Sequence, residues 1–278
     1  MIYDIGTQID GNDALIGIQS WAHFDSLSTA ESSAAEASWP LAELTNDNTY
    51  GGYRPAAAGP ATAEVAFDFV GPATVNYLGI AAHTLGTNGC TLRLYLGDDD
   101  GMGAPVWDLA EVFEITPADD SPILVIFPEA SRQWAKIEVD YGADKFKIGV
   151  LRIGERLVVQ RRIYANHSPT TLSRVTATRP LMSETGQFIG RAAIRHGLRG
   201  SYAWSNLDAA WYRSDFDPFV EQARYRAFFL AWRPVTYPSE VVYGQVPPAA
   251  DIAPTNNGRA GLMDVTVPVE AHDWESVT

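Results

Sequence analysis

Short runs in which apolar and polar residues alternate recur along the first 155 residues, and this alternation constrains the fold more than any other feature of the sequence. The run 64–70 is separated by Gly71 and Pro72 from the run 75–83. Further runs are 90–96, 123–127, 134–140 and 147–153. Because side chains on a β-strand point alternately to its two faces, such runs between turns predict an antiparallel β-sandwich.

The residues after 155 predict a second β-rich domain with one principal helix. Strands are expected at 156–164, at 187–195 and within 240–269, where Asn256, Asn257 and Gly258 form a turn signal. The segment 215–232 favours a helix: Asp217 can cap it, Pro218 suits its first turn, and aromatic residues follow at helical spacings. The predicted fold class is therefore mainly β.

The predicted domain division follows from these patterns. The β-sandwich occupies 18–155 and the second domain occupies 156–278. A sandwich whose two ends lie close together can be inserted into another domain. We therefore expect residues 1–17 to form a strand or arm that pairs with the second domain.

Charge is distributed very unevenly along the chain. Residues 1–131 contain two basic and 19 acidic residues, whereas 132–278 contain 18 basic and 15 acidic residues. All 13 basic residues of 152–233 are arginines. Arginine is favoured in protein interfaces because its planar guanidinium is weakly hydrated and makes forked contacts. The second half is therefore expected to bind proteins. No nucleic-acid partner is expected, because the net charge of −14 repels phosphate.

Aromatic and arginine residues cluster together in the second half. Trp, Tyr and Arg dominate the energetics of protein interfaces, so this cluster is the candidate assembly interface. The alternative is a helix core with scattered surface arginines. The candidate interface residues are Trp204, Trp211, Arg213, Arg224, Arg226, Trp232 and Arg233.

Several classes of protein are disfavoured by what the sequence contains. Cys90 is the only cysteine, which excludes an internal disulfide framework and multi-cysteine zinc sites. The apolar run 122–127 is far shorter than the ~20 residues that cross a bilayer, so no membrane insertion is expected. No secretory signal pattern is visible at Met1, which indicates synthesis and use without secretion. The histidines fit no catalytic motif, and we expect no enzyme.

Two groups of residues are candidates for small ligands. Tyr50, Tyr53, Arg54 and His83 could bind carbohydrate, because aromatic rings offer flat apolar faces and Arg and His supply directional hydrogen bonds. The alternative is that the rings simply fill the loop. Asp47, Asp98 and Asp100 lie in oxygen-rich loops that could hold Ca²⁺, and no other cofactor is expected. The alternative for these carboxylates is a solvated acidic turn.

The first half resembles the discoidin, or coagulation-factor type C, branch of galactose-binding-like β-sandwiches. The resemblance rests on the order of a loop, two strands and a closing strand pair, at 44–50, 63–69, 75–80, 133–139 and 146–153. It spans about residues 18–155. It implies a galactose-binding-like fold and a ligand site, where one exists, in the loops at one end of the sandwich.

The second half resembles a tail-tip or distal-tail (baseplate) protein of a long-tailed, siphovirus-like bacteriophage. The segments 228–244 and 186–194 carry this resemblance. It implies a structural virion protein at the tail tip, made in the bacterial cytoplasm and present as a ring or in several copies. The implied partners are the tail tube, hub and tape-measure-associated tip proteins. The alternatives are a receptor-binding module for a host surface glycan and, less favoured, a glycan-processing enzyme.

Overall fold

A computed structural model describes residues 1–20, 26–108, 113–163, 167–248, 250–258 and 261–271. The strands are β1 Ile2–Asp4, β2 Leu15–Gly17, β3 Leu27–Ser28, β4 Ala61–His83, β5 Thr91–Asp99, β6 Pro105–Trp107, β7 Phe113–Ile115, β8 Ile123–Tyr141, β9 Ile148–Gly154, β10 Leu157–Val158, β11 Arg174–Met182, β12 Phe188–Asp208, β13 Phe228–Ala231, β14 Val241–Gln245, β15 Thr255–Asn256 and β16 Leu262–Ala271. Within these described ranges no helix is long and apolar enough to cross a membrane.

The first strand system is built around the long antiparallel pair β4 and β8. Strands β3 and β9 also pair with β4, and β5 pairs with β8, β6 and β7. The apolar side chains of one face enclose a core that includes Phe67, Leu78, Ile80, Leu92, Val125, Phe127, Ile137 and Leu151. The prediction of a mainly β, antiparallel sandwich-type architecture is confirmed. Among the described strands, only β1 departs from the antiparallel pattern, since it pairs with β8 in parallel.

The turn predicted at Gly71 and Pro72 is wrong, because the chain bulges there and does not reverse. Asp68 pairs with Trp134 and Ala73 pairs with Arg132, so residues 69–72 face Gln133 alone. Val70 takes a φ of 64° to make the bulge. The strands predicted at 64–70 and 75–83 are therefore one strand, and those at 123–127 and 134–140 likewise join into β8. Because the partner strand β8 runs past the bulge, the hydrogen-bond ladder between β4 and β8 resumes beyond it.

The second sheet has the order β10, β2, β13, β14, β16, β12, β11, and β15 adds a short pairing to β16. Residues 1–17 contribute to both strand systems: β1 pairs with β8, whereas β2 pairs with β13 and β10. The predicted domain boundaries at residues 17 and 155 stay predictions. Of the strand predicted at 156–164, the described part forms only β10, and residue 164 lies outside the described residues.

The helical segment is shorter than predicted and lies earlier in the chain. It consists of α1 (Ala209–Trp211), a π-turn (Tyr212–Phe216) and α2 (Asp217–Ala223). Among the described residues, short 3₁₀ turns also lie at Leu41–Thr45 and Thr170–Leu172. Asp208, not Asp217, caps the segment, because its carboxylate accepts from the backbone N–H groups of Ala210 and Trp211.

The helix predicted to continue to Trp232 is wrong, because Phe228–Ala231 forms β13. This strand lies between β2 and β14, and all four of its residues are buried. Phe228 and Leu230 face the core that the second sheet shares with the helical segment. Phe229 and Ala231 face the first strand system. A strand buried on both faces shows no alternation in its sequence, so its aromatic residues fit the helical spacing instead.

A layer of apolar side chains joins the two strand systems face to face. It contains Ile2, Leu15, Tyr77, Ala81, Leu124, Ile126, Val150, Phe229, Ala231, Val241 and Tyr243. Glycines allow the close approach: a Cβ on Gly79 would lie 2.6 Å from the ring of Phe229, and one on Gly17 would lie 2.6 Å from the ring of Tyr77. We call this set of contacts the apolar joint.

Truncation of Phe229 tests the apolar joint. We expect Phe229→Ala to lower the free energy of unfolding by about 3–5 kcal/mol, because the fully buried ring leaves a cavity between two sheets. Urea denaturation measures the change. Tyr225→Ala is the matched control: its ring is 84% exposed, and the expected change is within about 0.5 kcal/mol. Equal changes in both variants would contradict this account of the joint.

Candidate functional site

Two of the four predicted carbohydrate residues lie inside the sandwich. Tyr53 is fully buried, pairs through its backbone with Ile148 and has its ring edge-on to Phe146 at 6.1 Å between centroids. Burial raises the pKa of its phenol. Its ring therefore fills the core, as the alternative interpretation of these aromatic residues holds.

His83 is also a core residue. Its Nε2 bonds the backbone oxygen of Ser121 at 2.9 Å, and its Nδ1 accepts from the N–H of Leu85 at 3.3 Å. This pairing fixes a neutral ring with the proton on Nε2. Burial lowers the pKa of His83 to about 4, although Asp120 and the bond to Ser121 oppose the shift. The ring is thus neutral and satisfied within the protein.

Tyr50 and Arg54 lie on the protein surface and are joined there by residues that the sequence interpretation missed. We call this group the loop surface: Glu36, Trp39, Tyr50, Arg54, Lys145 and Lys147. The segment around Ala35 bridges to Pro55, and Tyr53 bridges to Ile148, so three stretches distant in sequence come together. No single run signals this group, because its members come from separate stretches of the sequence.

Cations surround the indole of Trp39 in the loop surface. The ammonium of Lys147 lies 5.1 Å from the ring centroid of Trp39, and the guanidinium carbon of Arg54 lies 5.9 Å from it. Such contacts stabilise a cation by about 0.5–1 kcal/mol at exposed sites. The ring of Tyr50, by contrast, is 89% exposed. The loop surface thus combines an open aromatic face with positive charge.

The cations differ in how they are neutralised. Lys145 donates to the carboxylate of Glu36 at 2.6 Å, and Arg54 lies 3.8 Å from the same carboxylate. The bond from Lys145 is the main reason why the pKa of Glu36 is lowered. Lys147 donates instead to the backbone oxygens of Thr49, at 3.3 Å, and Tyr50, at 2.8 Å. Burial lowers the pKa of Lys147.

An apolar groove of about 580 Å³ adjoins the loop surface. Glu36 belongs to both. The other lining residues are mostly small or apolar: Leu27, Thr29, Ala35, Ala37, Pro40, Leu41 and Ala42. The groove and the loop surface together make a concave region of mixed polarity on the sandwich.

The three predicted calcium ligands lie in different surroundings. Asp98 lies 3.8 Å from Arg132, and the carboxylate of Asp100 caps the β5–β6 turn by accepting from the N–H groups of Met102, at 2.7 Å, and Ala104, at 3.1 Å. These turn bonds lower the pKa of Asp100. In the described part of the chain, no three His, Cys, Asp or Glu side chains are grouped as a metal site.

Asp47 belongs to a polar contact between the two halves. Its carboxylate pairs with Arg152 and accepts from the backbone N–H of Ala227 at 3.2 Å. Arg152 is 2% exposed and also donates to the backbone oxygen of Ile18 at 2.9 Å. Arg226 lies close enough to this pair for its pKa to be lowered, by burial first and then by Arg152. Asp47 thus compensates a buried guanidinium.

The candidate interface residues are divided between core and surface. Trp204 is fully buried, Trp211 is partly buried against the same core, and Trp232 stacks on Tyr237 at 5.4 Å. These tryptophans fill the second core, as the helix-core alternative holds. The guanidinium of Arg233 lies over Trp232 at 5.1 Å. Arg213 and Arg224 are exposed, whereas Arg226 is half-buried.

A protruding hairpin forms a further exposed surface, which we call the hairpin arm: β11 and residues 188–197 of β12. The strand predicted at 187–195 is its second strand. All nine residues of β11 are exposed. The partner β16 joins β12 only from Leu198 onward, so residues 188–197 pair with β11 alone among the described strands. Large apolar side chains are exposed along the arm: Val175, Leu181, Met182, Phe188, Ile189 and Ile194.

Comparisons with known proteins give remote structural similarity only. A chitosan-binding module from a Paenibacillus sp. IK-5 chitosanase/glucanase is 10% identical, with a TM-score of 0.40 over 50% of this chain and 100% of the module. A Clostridium perfringens module, CpGH89CBM32-6, is 16% identical, with a TM-score of 0.35 over 49% of this chain and 99% of the module.

A Ruminococcus gnavus GH29 fucosidase is 14% identical, with a TM-score of 0.40 over 50% of this chain, which covers 27% of the fucosidase. No protein-family model matches the sequence, and no curated protein matches it.

Removal of the Asp47 carboxylate tests its role as partner of Arg152. We expect Asp47→Ala to cost about 3 kcal/mol of unfolding free energy, because a buried guanidinium loses its counter-charge. That value is at the low end of the range for buried pairs, since the Asp47 side chain is 32% exposed. In urea denaturation the control Asp98→Ala, 59% exposed, should change stability by less than about 1 kcal/mol. A null effect of Asp47→Ala would refute this role.

The buried neutral His83 predicts a loss of stability in acid. Its folded pKa of about 4 lies below the ordinary value of 6.5, so between these pH values the unfolded chain binds a proton that the folded chain excludes. The contribution is complete above pH 6.5 and is lost as the pH falls toward 4. From pH 7 to 4.5 the native chain should lose about 2–3 kcal/mol more than His83→Gln. Identical pH profiles in urea denaturation would contradict it.

Proposed function

We propose that this chain is a structural component of a bacteriophage tail tip or baseplate, where the second β-rich domain assembles with other subunits and the sandwich is displayed outward. The observation that supports it best is the hairpin arm. In this role the chain performs no catalytic step, resides in the virion and has the tail tube, hub and tape-measure-associated tip proteins as neighbours.

In the part of the chain that the structure describes, the hairpin arm lacks the packing that an isolated hairpin needs. A two-stranded hairpin alone is marginally stable in water, and three strands or a packed face are needed for independent stability. Here Phe188, Ile189 and Ile194 are 60–68% exposed. Unpaired strand edges are also templates for pairing with another chain. An arm with these properties is best explained by a protein partner that covers it.

Charge favours a second copy of the same chain as that partner. The segment 174–197 contains four arginines and a single acidic residue, Glu184. The first 131 residues contain 19 acidic residues and two basic ones. A basic arm and an acidic sandwich on each copy are complementary, and such complementarity steers association and fixes register. A closed ring of copies satisfies every arm with one repeated contact.

A second candidate role is binding of a host-surface glycan through the sandwich. The loop surface favours it, because an exposed aromatic residue, Tyr50, lies on the same surface as the hydrogen-bond donors of Arg54 and Lys147. The two roles are compatible, since they use different parts of the molecule. The loop surface would make first contact with a host while the hairpin arm holds the copies together.

Removal of apolar side chains from the arm tests the assembly role. We expect the full chain to self-associate in sedimentation velocity and to be present in purified phage particles. The variant Phe188→Ser with Ile189→Ser should weaken self-association at least a hundredfold. Each lost side chain removes about 1.5 kcal/mol or more of burial energy, and about 1.4 kcal/mol corresponds to tenfold.

The control for this experiment is Val235→Ser, a 55% exposed apolar residue outside the arm, which should leave association unchanged. Circular dichroism should show the same fold for all three proteins, because the substituted side chains are exposed. A full chain that stays monomeric at every concentration and is absent from the particles would overturn the assembly role.

A further inference from the structure

We infer that the loop surface binds an anionic saccharide, in which a carboxylate or sulfate group pairs with Lys147 and the sugar ring stacks on Tyr50. This inference rests on the glycan-binding role proposed above and names the class of ligand. It is independent of the assembly role of the hairpin arm.

The first argument is the pairing of the basic residues. Residues 1–155 contain seven basic side chains in a strongly acidic part of the chain. Arg93, Arg132, Lys136 and Arg152 each pair with at least one carboxylate. Arg54 and Lys145 share Glu36. Within the described part of 1–155, Lys147 is the basic residue that has no carboxylate partner.

The second argument is the cost of leaving that ammonium uncompensated. Lys147 is half-buried, and burial lowers the pKa of its ammonium. A lysine ammonium has three N–H donors, and two of them are used by the backbone oxygens of Thr49 and Tyr50. A desolvated cation without a counter-charge is unfavourable. An anion that accepts the remaining N–H supplies the missing charge.

The third argument is the aromatic geometry around Lys147. One of its acceptors is the backbone oxygen of Tyr50, so the exposed Tyr50 ring belongs to the residue that holds the ammonium. Arg54 and Lys147 both lie within 6 Å of the Trp39 ring centroid, so one indole holds two cations in place. Positive charge and an open aromatic residue on one surface match a sugar ring that carries an acid group.

The electrostatic field of the whole protein restricts the ligand to a short anion. The net charge of −14 repels long polyanions beyond the immediate contact, whereas charges within about 8 Å at physiological ionic strength still attract. A single uronic acid or sulfated sugar unit reaches Lys147 and Arg54 at short range. This argues for an acidic oligosaccharide and against nucleic acid as the occupant.

Calorimetric titration of the full chain with matched saccharides tests the inference. The probes are trigalacturonate, its neutral methyl ester, sulfated lactose and lactose. We expect at least one charged probe to bind tenfold or more tightly than its neutral counterpart, with an affinity that falls as salt rises. Preference for trigalacturonate identifies a carboxylate as the recognised anion, and preference for sulfated lactose identifies a sulfate; both support the inference.

Three variants test which residues cause the tighter binding of charged saccharides. Lys147→Met should remove the preference for the charged probe. Tyr50→Ala, at a residue that is 89% exposed, should weaken binding of charged and neutral probes alike and leave the core intact. The control Arg161→Met removes an exposed positive charge elsewhere and should change nothing. Thermal unfolding checks that each variant keeps the native fold.

The possible negative results separate the two proposals. Equal binding of charged and neutral saccharides overturns the anionic class and leaves the glycan-binding role standing. No binding of any probe by the native chain overturns both. A preference for the charged probe that survives Lys147→Met overturns the assignment to this ammonium.

Discussion

The apolar joint is the contact on which the rest of the structure depends. Strand β13 is buried on both faces, so one short strand contributes to two cores: Phe228 and Leu230 to one, Phe229 and Ala231 to the other. On the opposite side, β4 and β8 alternate in the same way, with Leu78 and Val125 facing the sandwich core and Tyr77 and Leu124 facing the joint. The molecule is therefore layered, and neither half can be removed without exposing apolar surface of the other.

The sequence predicted the parts of the fold in which one face of a strand is solvated. Alternation located β5 and the outer parts of β4 and β8, where polar residues mark the exposed positions. Strand β9 was located as well, although all seven of its residues are buried. Alternation failed at β13, whose residues are all apolar, and the neighbouring aromatic residues were assigned to a helix. It also failed at Gly71 and Pro72, where residues typical of a turn make a bulge because β8 continues on the other side.

The candidate sites were predictable only in part, for a related reason. Residue type indicates what chemistry is available but not whether a side chain points inward. The sequence gives Tyr53 and His83 the same candidate role as Tyr50 and Arg54. The structure buries Tyr53 and His83. Trp39 and Lys147 join Tyr50 through contacts between distant stretches, among them the bridges of Ala35 with Pro55 and Tyr53 with Ile148. Such non-local pairings leave no mark on a single sequence.

The contact between Asp47 and the second half has a consequence for multivalent binding. Asp47 is held by Arg152 and by the backbone of Ala227, and it precedes Tyr50 by three residues in the same loop. The base of that loop is thereby fixed against the segment that leads into β13. In the assembly of copies proposed above, the loop surfaces would be presented at set angles and spacings. Weak individual contacts then combine through avidity, which can raise the total affinity by about 10²–10⁴ without any new contact.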